Sequence, residues 1–199
     1  MKQIINHFTD DDLYKLSMCC SVIDNYPRAQ VKYQFVDRNN TVYPTGFADE
    51  LRRQIEALEG VIITDDEIDF MKRRCSYMPH WFFTYLRGYR FSREWVNVSQ
   101  DIDGHLHVEF EGSWSDTILL EVKVLAMISE LFYIMTGQIA RLDYVQLYNK
   151  TCQKAERLLT AGCVFSDFGT RRRASFKAED TVVRALKDTY QSRDWKGRL

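Results

Sequence analysis

Apolar residues near the start of the chain recur at helical spacing and then change to alternation. Helical spacing covers residues 13–23 and stops before Pro27. We expect Thr9 to be the N-cap of this helix, with the three aspartates of 10–12 at the positive end of its dipole. Apolar and polar residues then alternate over 29–36, which predicts a half-buried strand.

The middle of the chain predicts helices followed by a hairpin. Three segments have helical spacing: 47–58, 65–75 and 79–86. Thr64 and Glu67 have the spacing of a capping box at the start of the second. Two segments are typical of strands: 95–99 and 105–111. Asp103 and Gly104 predict the turn that joins them.

The last third of the chain predicts a helix, a short strand and another helix. A long apolar helix over 115–135 is followed by Gly137 and by an amphipathic helix that reaches Leu159 and ends at Gly162. The run 163–165 has the composition of a buried strand, and a last helix covers 174–190.

This order indicates two domains. Helix, buried strand and helix is how a parallel α/β layer begins, and a parallel strand needs neighbours and covered faces. We therefore expect an α+β domain over 1–137. Over 138–199 we expect the start of a second, truncated α/β domain.

Composition excludes several classes of protein. The net charge of −1 gives no general attraction to nucleic acid or to a membrane surface. The five cysteines are scattered without CxxC spacing, which indicates reduced thiols and argues against disulfides and a zinc site. The N-terminus lacks a signal-peptide pattern, and the longest apolar stretch, 124–135, is shorter than the roughly 20 residues of a membrane span. We expect a cytoplasmic protein.

The segment 165–173, with the sequence FSDFGTRRR, carries the clearest chemical signal. We expect Gly169 to permit an unusual backbone angle, Thr170 to cap the last helix, and three arginines to enter its first turn. Arginines there oppose the helix dipole, a local conflict that is typical of functional sites. Guanidinium and backbone N–H groups suit a phosphate or a carboxylate. A solvated basic cluster is the open alternative. The tripeptide DFG also occurs in kinases, but no other kinase motif precedes it.

Four segments, in order, resemble motifs of the nicotinate phosphoribosyltransferases. They are DLYKLSM over 12–18, YQFVDR over 33–38, GSWSDTILLE over 112–121 continued by LAMISE over 125–130, and DFGTRRR over 167–173. The resemblance implies the family's N-terminal α+β domain (a small sheet with helices) followed by the opening βα unit of an incomplete, TIM-like α/β barrel. It also implies a reaction, in which nicotinate displaces pyrophosphate from phosphoribosyl pyrophosphate to give nicotinate mononucleotide in NAD salvage.

The resemblance further implies substrate-binding residues. Six positions match: Tyr14, Arg38, Phe168, Gly169, Thr170 and Arg171. Tyr14 would pack on the nicotinate ring across a homodimer interface, and Phe168 would form the opposite face. Their alternative is a place in the core.

The resemblance assigns the arginines to the anionic groups of the substrates. Arg171 would reach the substrate or its diphosphate, and Arg38 a phosphate at the subunit boundary. Gly169 and Thr170 would shape the turn. For Arg38 the alternative is an exposed arginine at the end of a strand.

Other polar residues near these motifs are expected to have structural roles. Five support the local fold: Trp114, Asp116, Glu121, Arg172 and Arg173. Lys15 could contact a phosphate, but we favour the interpretation that it is a solvent-facing lysine. His105 and His107 share one face of a predicted strand, and without a third ligand nearby we expect a strand surface and no metal site.

The resemblance implies ATP coupling through a phosphorylated histidine, and Mg²⁺ at the pyrophosphate oxygens. All four histidines precede Asp167 and none matches that position. We therefore expect an N-terminal fragment of a cytoplasmic ligase-type glycosyltransferase with little activity alone and no tightly bound cofactor. The alternatives are a dimerisation module derived from the family, a nicotinamide or quinolinate relative, and a nucleic-acid surface, which the balanced charge disfavours.

Overall fold

The computed structural model describes residues 1–192 and contains one three-stranded antiparallel sheet in that range. The strands are β1 (Gln30–Gln34), β2 (Val96–Gln100) and β3 (Leu106–Ser113). β3 lies between the other two, with Tyr33 opposite Phe110 and Val98 opposite Val108. The strands predicted at 29–36, 95–99 and 105–111 are confirmed, with β1 shorter than 29–36 at both ends.

Helices make up most of the remaining regular structure. Those in the described residues are α1 (Leu13–Asn25), α2 (Phe47–Ala57), α3 (Asp65–Arg74), α4 (His80–Gly88), α5 (Trp114–Thr117), α6 (Leu120–Met135), α7 (Tyr144–Thr160) and α8 (Phe176–Ser192). The predicted helices are confirmed, with ends that move by a few residues. The helix predicted over 115–135 is divided, because α5 ends at Thr117 and α6 starts three residues later.

The core forms between α6 and the elements around it. Leu120, Val124, Met127 and Leu131 of α6 are buried together with apolar residues from α2, α4 and the sheet. Apolar area removed from water at these positions is the main stabilising contribution. α6 is buried on several sides, so polar residues on it must find partners inside the protein.

Local capping follows the sequence at one helix and departs from it at another. Thr64 and Glu67 form the predicted capping box of α3. The predicted N-cap at Thr9 is wrong, since α1 begins after Asp12, which makes no side-chain cap bond. Thr9 instead donates its N–H and its hydroxyl to Oε1 of Glu67, at 2.9 and 2.7 Å. Thr9 does not cap α1 because its hydroxyl is taken by Glu67, which is 58 positions away in the sequence.

The predicted strand at 163–165 is also wrong. These residues form no strand, and Cys163 and Val164 are exposed. Isolated parallel strands leave their backbone groups unpaired, and the described residues place no strand beside this segment. The opening of a barrel over 138–199 is therefore not confirmed by the described residues, and 193–199 lie outside them. α7 and α8 pack on each other in opposite directions, since Cys152 meets Ala185 and Tyr148 meets Asp188.

Candidate functional site

Arg171 and Arg172 lie in a tight turn ahead of α8 and Arg173 directly follows it; residues 170–173 are called the arginine turn. Thr170–Arg172 form a single 3₁₀ turn, and α8 starts only at Phe176. Ser175 caps α8, because its Oγ accepts the Ala178 N–H at 3.0 Å. The prediction that the arginines enter the first helical turn, with Thr170 as cap, is therefore wrong, and the expected conflict with the helix dipole does not arise. The guanidinium groups of Arg171 and Arg173 instead contact residues of other elements.

Gly169 matters because of its neighbours. Its φ of −80° is ordinary, so the predicted unusual backbone angle is wrong. A Cβ at this position would lie 2.7 Å from Glu179 Oε2 and 3.2 Å from Asp167 Oδ2. Burial, and then the hydrogen bond and charge of Asp167, raise the pKa of Glu179 to about 7. The carboxyl groups of Asp167 and Glu179 thus lie next to each other in the space that a side chain at position 169 would occupy.

Arg173 anchors the turn to the rest of the protein. Its guanidinium donates to Asp10, with Nη2 at 2.8 Å from Oδ2, and to Glu130 of α6, with Nε at 3.2 Å from Oε2. Its side chain is only 1% exposed. Burial opposes the charged form, but Asp10 and Glu130 raise the pKa of Arg173 above its usual value. Ser129 adds a hydrogen bond to the Arg173 carbonyl at 2.9 Å. The predicted supporting role of Arg173 agrees with these contacts.

The next aspartate makes a second buried ion pair. Lys123 Nζ donates to Asp11 Oδ2 at 2.6 Å, and both side chains are 0% exposed. Burial raises the pKa of Asp11, and the adjacent Lys123 opposes that rise. Asp10 and Asp11 together therefore fix the start of α1 to α6 and to the arginine turn.

Arg171 meets Tyr14 in the same region. Its Nη2 donates to the Tyr14 hydroxyl, and its Cζ lies 5.7 Å from the centre of that ring. Asp12 Oδ2 is 3.5 Å from the same Nη2. Phe168 contacts Tyr14 edge to face, with ring centres 5.9 Å apart. The sequence-predicted residues Tyr14, Phe168 and Arg171 are thus brought together within one chain.

Glu121 and Lys15 complete this cluster, and the sequence did not predict that they pair. Lys15 donates to Glu121 Oε2, and Arg171 Nη1 lies 3.4 Å from Glu121 Oε1. The interpretation of Lys15 as solvent-facing is wrong, because it is only 4% exposed. A lysine beside Tyr14 on a helix was the available signal. Its partner lies 106 positions away and could not be identified from spacing.

A cleft of about 910 Å³ opens beside Glu121. Part of its wall is apolar, with Phe35, Val124 and Ile128 among the lining residues. Three arginines also line it: Arg38, Arg171 and Arg172. An amphipathic cleft lined by cations can accept an anion that carries an apolar part.

Arg38 belongs to the segment after β1 and is exposed. Asp37 shapes this segment by accepting the N–H groups of Asn39 and Thr41, at 2.9 and 2.7 Å. Partial burial opposes ionisation, but these donors hold the pKa of Asp37 below its usual value. Arg38 and Arg171 therefore face one cleft from different elements, while Tyr14 and Phe168 lie outside its lining.

The remaining polar residues have structural contacts. Trp114 Nε1 donates to the Tyr33 hydroxyl at 3.1 Å. Asp116 accepts from Ser113 Oγ at 2.6 Å at the start of α5. His107 lies near Asp101 on the exposed face of β3, at 3.4 Å. Residues 1–192 contain no group of three or more His, Cys, Asp or Glu side chains that could hold a metal ion.

Comparison with known proteins gives one consistent result. Residues 9–129 match the family model of the nicotinate phosphoribosyltransferase N-terminal domain. The nicotinate phosphoribosyltransferase of Methanosarcina mazei is 32% identical over 199 residues, which cover 92% of this chain and 49% of that protein. The enzyme of that name from Desulforapulum autotrophicum is 35% identical, with 92% of this chain and 46% of that protein covered.

The fold gives the same result. The crystal structure of nicotinate phosphoribosyltransferase from Porphyromonas gingivalis superposes with a TM-score of 0.87 at 36% identity, covering 94% of this chain and 47% of that one. The chain spans about half the length of the relatives that it matches. Among residues 1–192, no helix is long and apolar enough to cross a membrane.

Proposed function

The chain belongs to the nicotinate phosphoribosyltransferase family, and we propose that it carries part of a site that joins nicotinate to phosphoribosyl pyrophosphate. The products are nicotinate mononucleotide and pyrophosphate, and the reaction is a step of NAD salvage. The observation that supports this proposal is the position of Arg171, which contacts Tyr14 and also lines the cleft that Arg38 and Arg172 share.

The reaction explains why arginines are needed there. The pyridine nitrogen forms a bond to the anomeric carbon, and the bond from that carbon to the pyrophosphate oxygen breaks. Negative charge grows on the leaving pyrophosphate while the carbon passes through a positively charged, oxocarbenium-like state. Fixed guanidinium groups stabilise the leaving anion and orient the donor, and these two effects are the main sources of rate in such transfers.

We assign the anionic groups to the arginines of the cleft. Arg171 is proposed to bind the nicotinate carboxylate or the diphosphate, and Arg38 a phosphate. Gly169 and Thr170 set the backbone that presents Arg171. Arg172, which sequence reasoning gave a supporting role, is added as an anion-binding residue because it lines the same cleft.

The aromatic residues are assigned to the pyridine ring. Tyr14 and Phe168 touch edge to face at 5.9 Å within one chain, so no ring fits between them in this arrangement. Ring stacking in a homodimer, with Tyr14 serving the neighbouring subunit, stays a prediction that analytical ultracentrifugation of the chain and of its Tyr14→Ala variant would test.

Cofactors enter this proposal in a limited way. Magnesium would accompany the pyrophosphate oxygens as a counter-ion. Because magnesium in such sites is held mainly by substrate oxygens and water, with one or two protein carboxylates, this role requires no cluster of protein ligands. The resemblance implies that ATP acts through a phosphorylated histidine. The four histidines of this chain all precede Asp167 and none matches that position, so we assign no ATP-dependent step to the chain. For the same reason we expect little turnover from this chain alone, and an assay with nicotinate, ATP and phosphoribosyl pyrophosphate tests that expectation.

Calorimetric titration tests the binding role directly. The chain should bind pyrophosphate and nicotinate, and nicotinate more tightly than nicotinamide or quinolinate. Arg171→Met should weaken anion binding about tenfold or more, because one charge-assisted hydrogen bond contributes roughly 1.5–3 kcal/mol. Arg73→Met is the matched control, since Arg73 is exposed on α3 and does not line the cleft. Equal weakening by both variants would refute the assignment.

A further inference from the structure

Glu121 connects the two cations that lie against the Tyr14 ring. Lys15 Nζ is 5.3 Å from the centre of that ring, and Arg171 Cζ is 5.7 Å from it. Lys15 donates to one carboxylate oxygen of Glu121, and Arg171 approaches the other at 3.4 Å. One carboxylate therefore holds both cations, each through its own oxygen.

The place of Glu121 in the fold makes this arrangement rigid. It lies in the first turn of α6, whose neighbouring residues Leu120 and Val122 are 0% exposed. Its own side chain is 22% exposed and lines the cleft. A carboxylate on a buried helix is a better fixed point than the short turn that carries Arg171, because core packing restrains the helix backbone.

Arg171 keeps donors for a ligand in this arrangement. A guanidinium has five N–H groups, and the contacts within the described residues use three of them, toward Glu121, Asp12 and Tyr14. The distances to Glu121 and Asp12, 3.4 and 3.5 Å, are long for charge-assisted bonds. The Arg171 guanidinium is thus held in one orientation and still has N–H groups available to a ligand.

We propose that Glu121 is the positioning residue that fixes Arg171 and Lys15 on the Tyr14 ring, so that Arg171 meets an anionic substrate in one orientation. The relevance of this role to catalysis rests on the proposed function. A purely structural role for Glu121 would require only that it neutralise buried Lys15. The two roles differ in what happens to Arg171 when Glu121 loses its charge.

The rate at which phenylglyoxal modifies each arginine, read by mass spectrometry, separates the two roles. In Glu121→Gln the Arg171 rate should rise about fivefold, since its charged partner is gone. The Arg93 rate should not change. Glu56→Gln is the matched control: Glu56 accepts from Arg93 at 2.6 Å on the surface, so this variant should speed modification of Arg93 and leave Arg171 unchanged.

A second measurement reads the state of Arg171 in the wild-type chain, with the conservative Arg171→Lys variant needed only to assign its signals. In nitrogen-15 NMR a held guanidinium gives resolved Nη–H signals, and a freely rotating one gives a single averaged signal. Arg171, assigned from the spectrum of Arg171→Lys, should give resolved signals. An averaged Arg171 signal, or an unchanged Arg171 rate in folded Glu121→Gln, overturns the proposal.

Binding is measured separately on the same samples. Wild-type chain is titrated with nicotinate, and Glu121→Gln should bind it at least about fivefold more weakly. Absence of nicotinate binding by the wild type would count against the proposed function, whereas the arginine rates would still decide the role of Glu121. The two failures are therefore distinguishable.

Discussion

Replacing Arg173 with methionine tests whether the buried ion triad holds the arginine turn. Arg173, Asp10 and Glu130 have side chains that are 1%, 4% and 12% exposed. Methionine is apolar and cannot donate to either carboxylate, so the variant leaves two buried acids without their cation. Removing one partner of a buried pair destabilises a protein by about 3–5 kcal/mol.

That loss is large compared with the stability of a domain, which is about 5–15 kcal/mol. For a chain of this size each kcal/mol lowers the melting temperature by about 2–4 °C, so a loss of about 4 kcal/mol predicts a decrease of about 8–16 °C. Urea unfolding followed by tryptophan fluorescence measures the free energy of unfolding. The loss should be smaller at pH 5 than at pH 8, because protonation removes the unpaired charges.

Two further variants make this prediction sharp. Arg172→Met is the control, since Arg172 is exposed, and it should change the free energy of unfolding by less than about 0.5 kcal/mol. Adding Asp10→Asn to Arg173→Met should recover part of the loss. If Arg173→Met lost less than about 1 kcal/mol, the argument that Arg173 neutralises buried acids would be refuted.

Three other perturbations test the same network. Lys123→Met should destabilise the fold by about 3–5 kcal/mol in urea unfolding, and adding Asp11→Asn should restore more than half, because the fully buried Asp11 is then neutral. Burial and Asp167 raise the pKa of Glu179 to about 7 in the folded state, so stability should fall as pH rises from about 4.5 to about 7. Glu179→Gln should therefore be more stable than wild type by about 2 kcal/mol at pH 8, after allowance for partial exposure, and equal to it near pH 4. Gly169→Ala should destabilise by about 1 kcal/mol, because its Cβ would meet the Glu179 carboxylate at 2.7 Å, and this loss should vanish in a Glu179→Ala background.

Each of these variants has a matched control in the chain. Lys72→Met removes an exposed lysine from α3 and should change little. Asp180→Asn neighbours Glu179 on α8 and should leave its pH dependence intact. Gly60→Ala adds a Cβ that meets no atom within 4 Å. Controls that matched the test variants would contradict the assigned contacts.

Features that depend on neighbouring residues could be predicted from the sequence. The capping box of Thr64 and Glu67 needs only a spacing of three, and the alternation of β3 needs only its own burial pattern. The sequence points to the arginine turn because arginines in the first turn of a helix would oppose the helix dipole. The same local reasoning misplaced them within the helix, since it could not see Ser175 as the cap.

Features that depend on remote partners could not be predicted. Asp10 pairs with a residue 163 positions away, and Asp11 with one 112 positions away. From spacing alone these aspartates resembled only acids at the positive end of a helix dipole. The apolar run at 163–165 was predicted as a strand from composition, but a strand needs a neighbouring strand, and the described residues supply none.

A crystal structure of the chain with nicotinate and pyrophosphate tests the central claim most directly. The account predicts that the carboxylate or a pyrophosphate oxygen lies within hydrogen-bond distance of the Arg171 guanidinium, with the pyridine ring against Tyr14 or Phe168. Ligands bound at a different surface, with Arg171 unchanged and remote from them, would contradict the account.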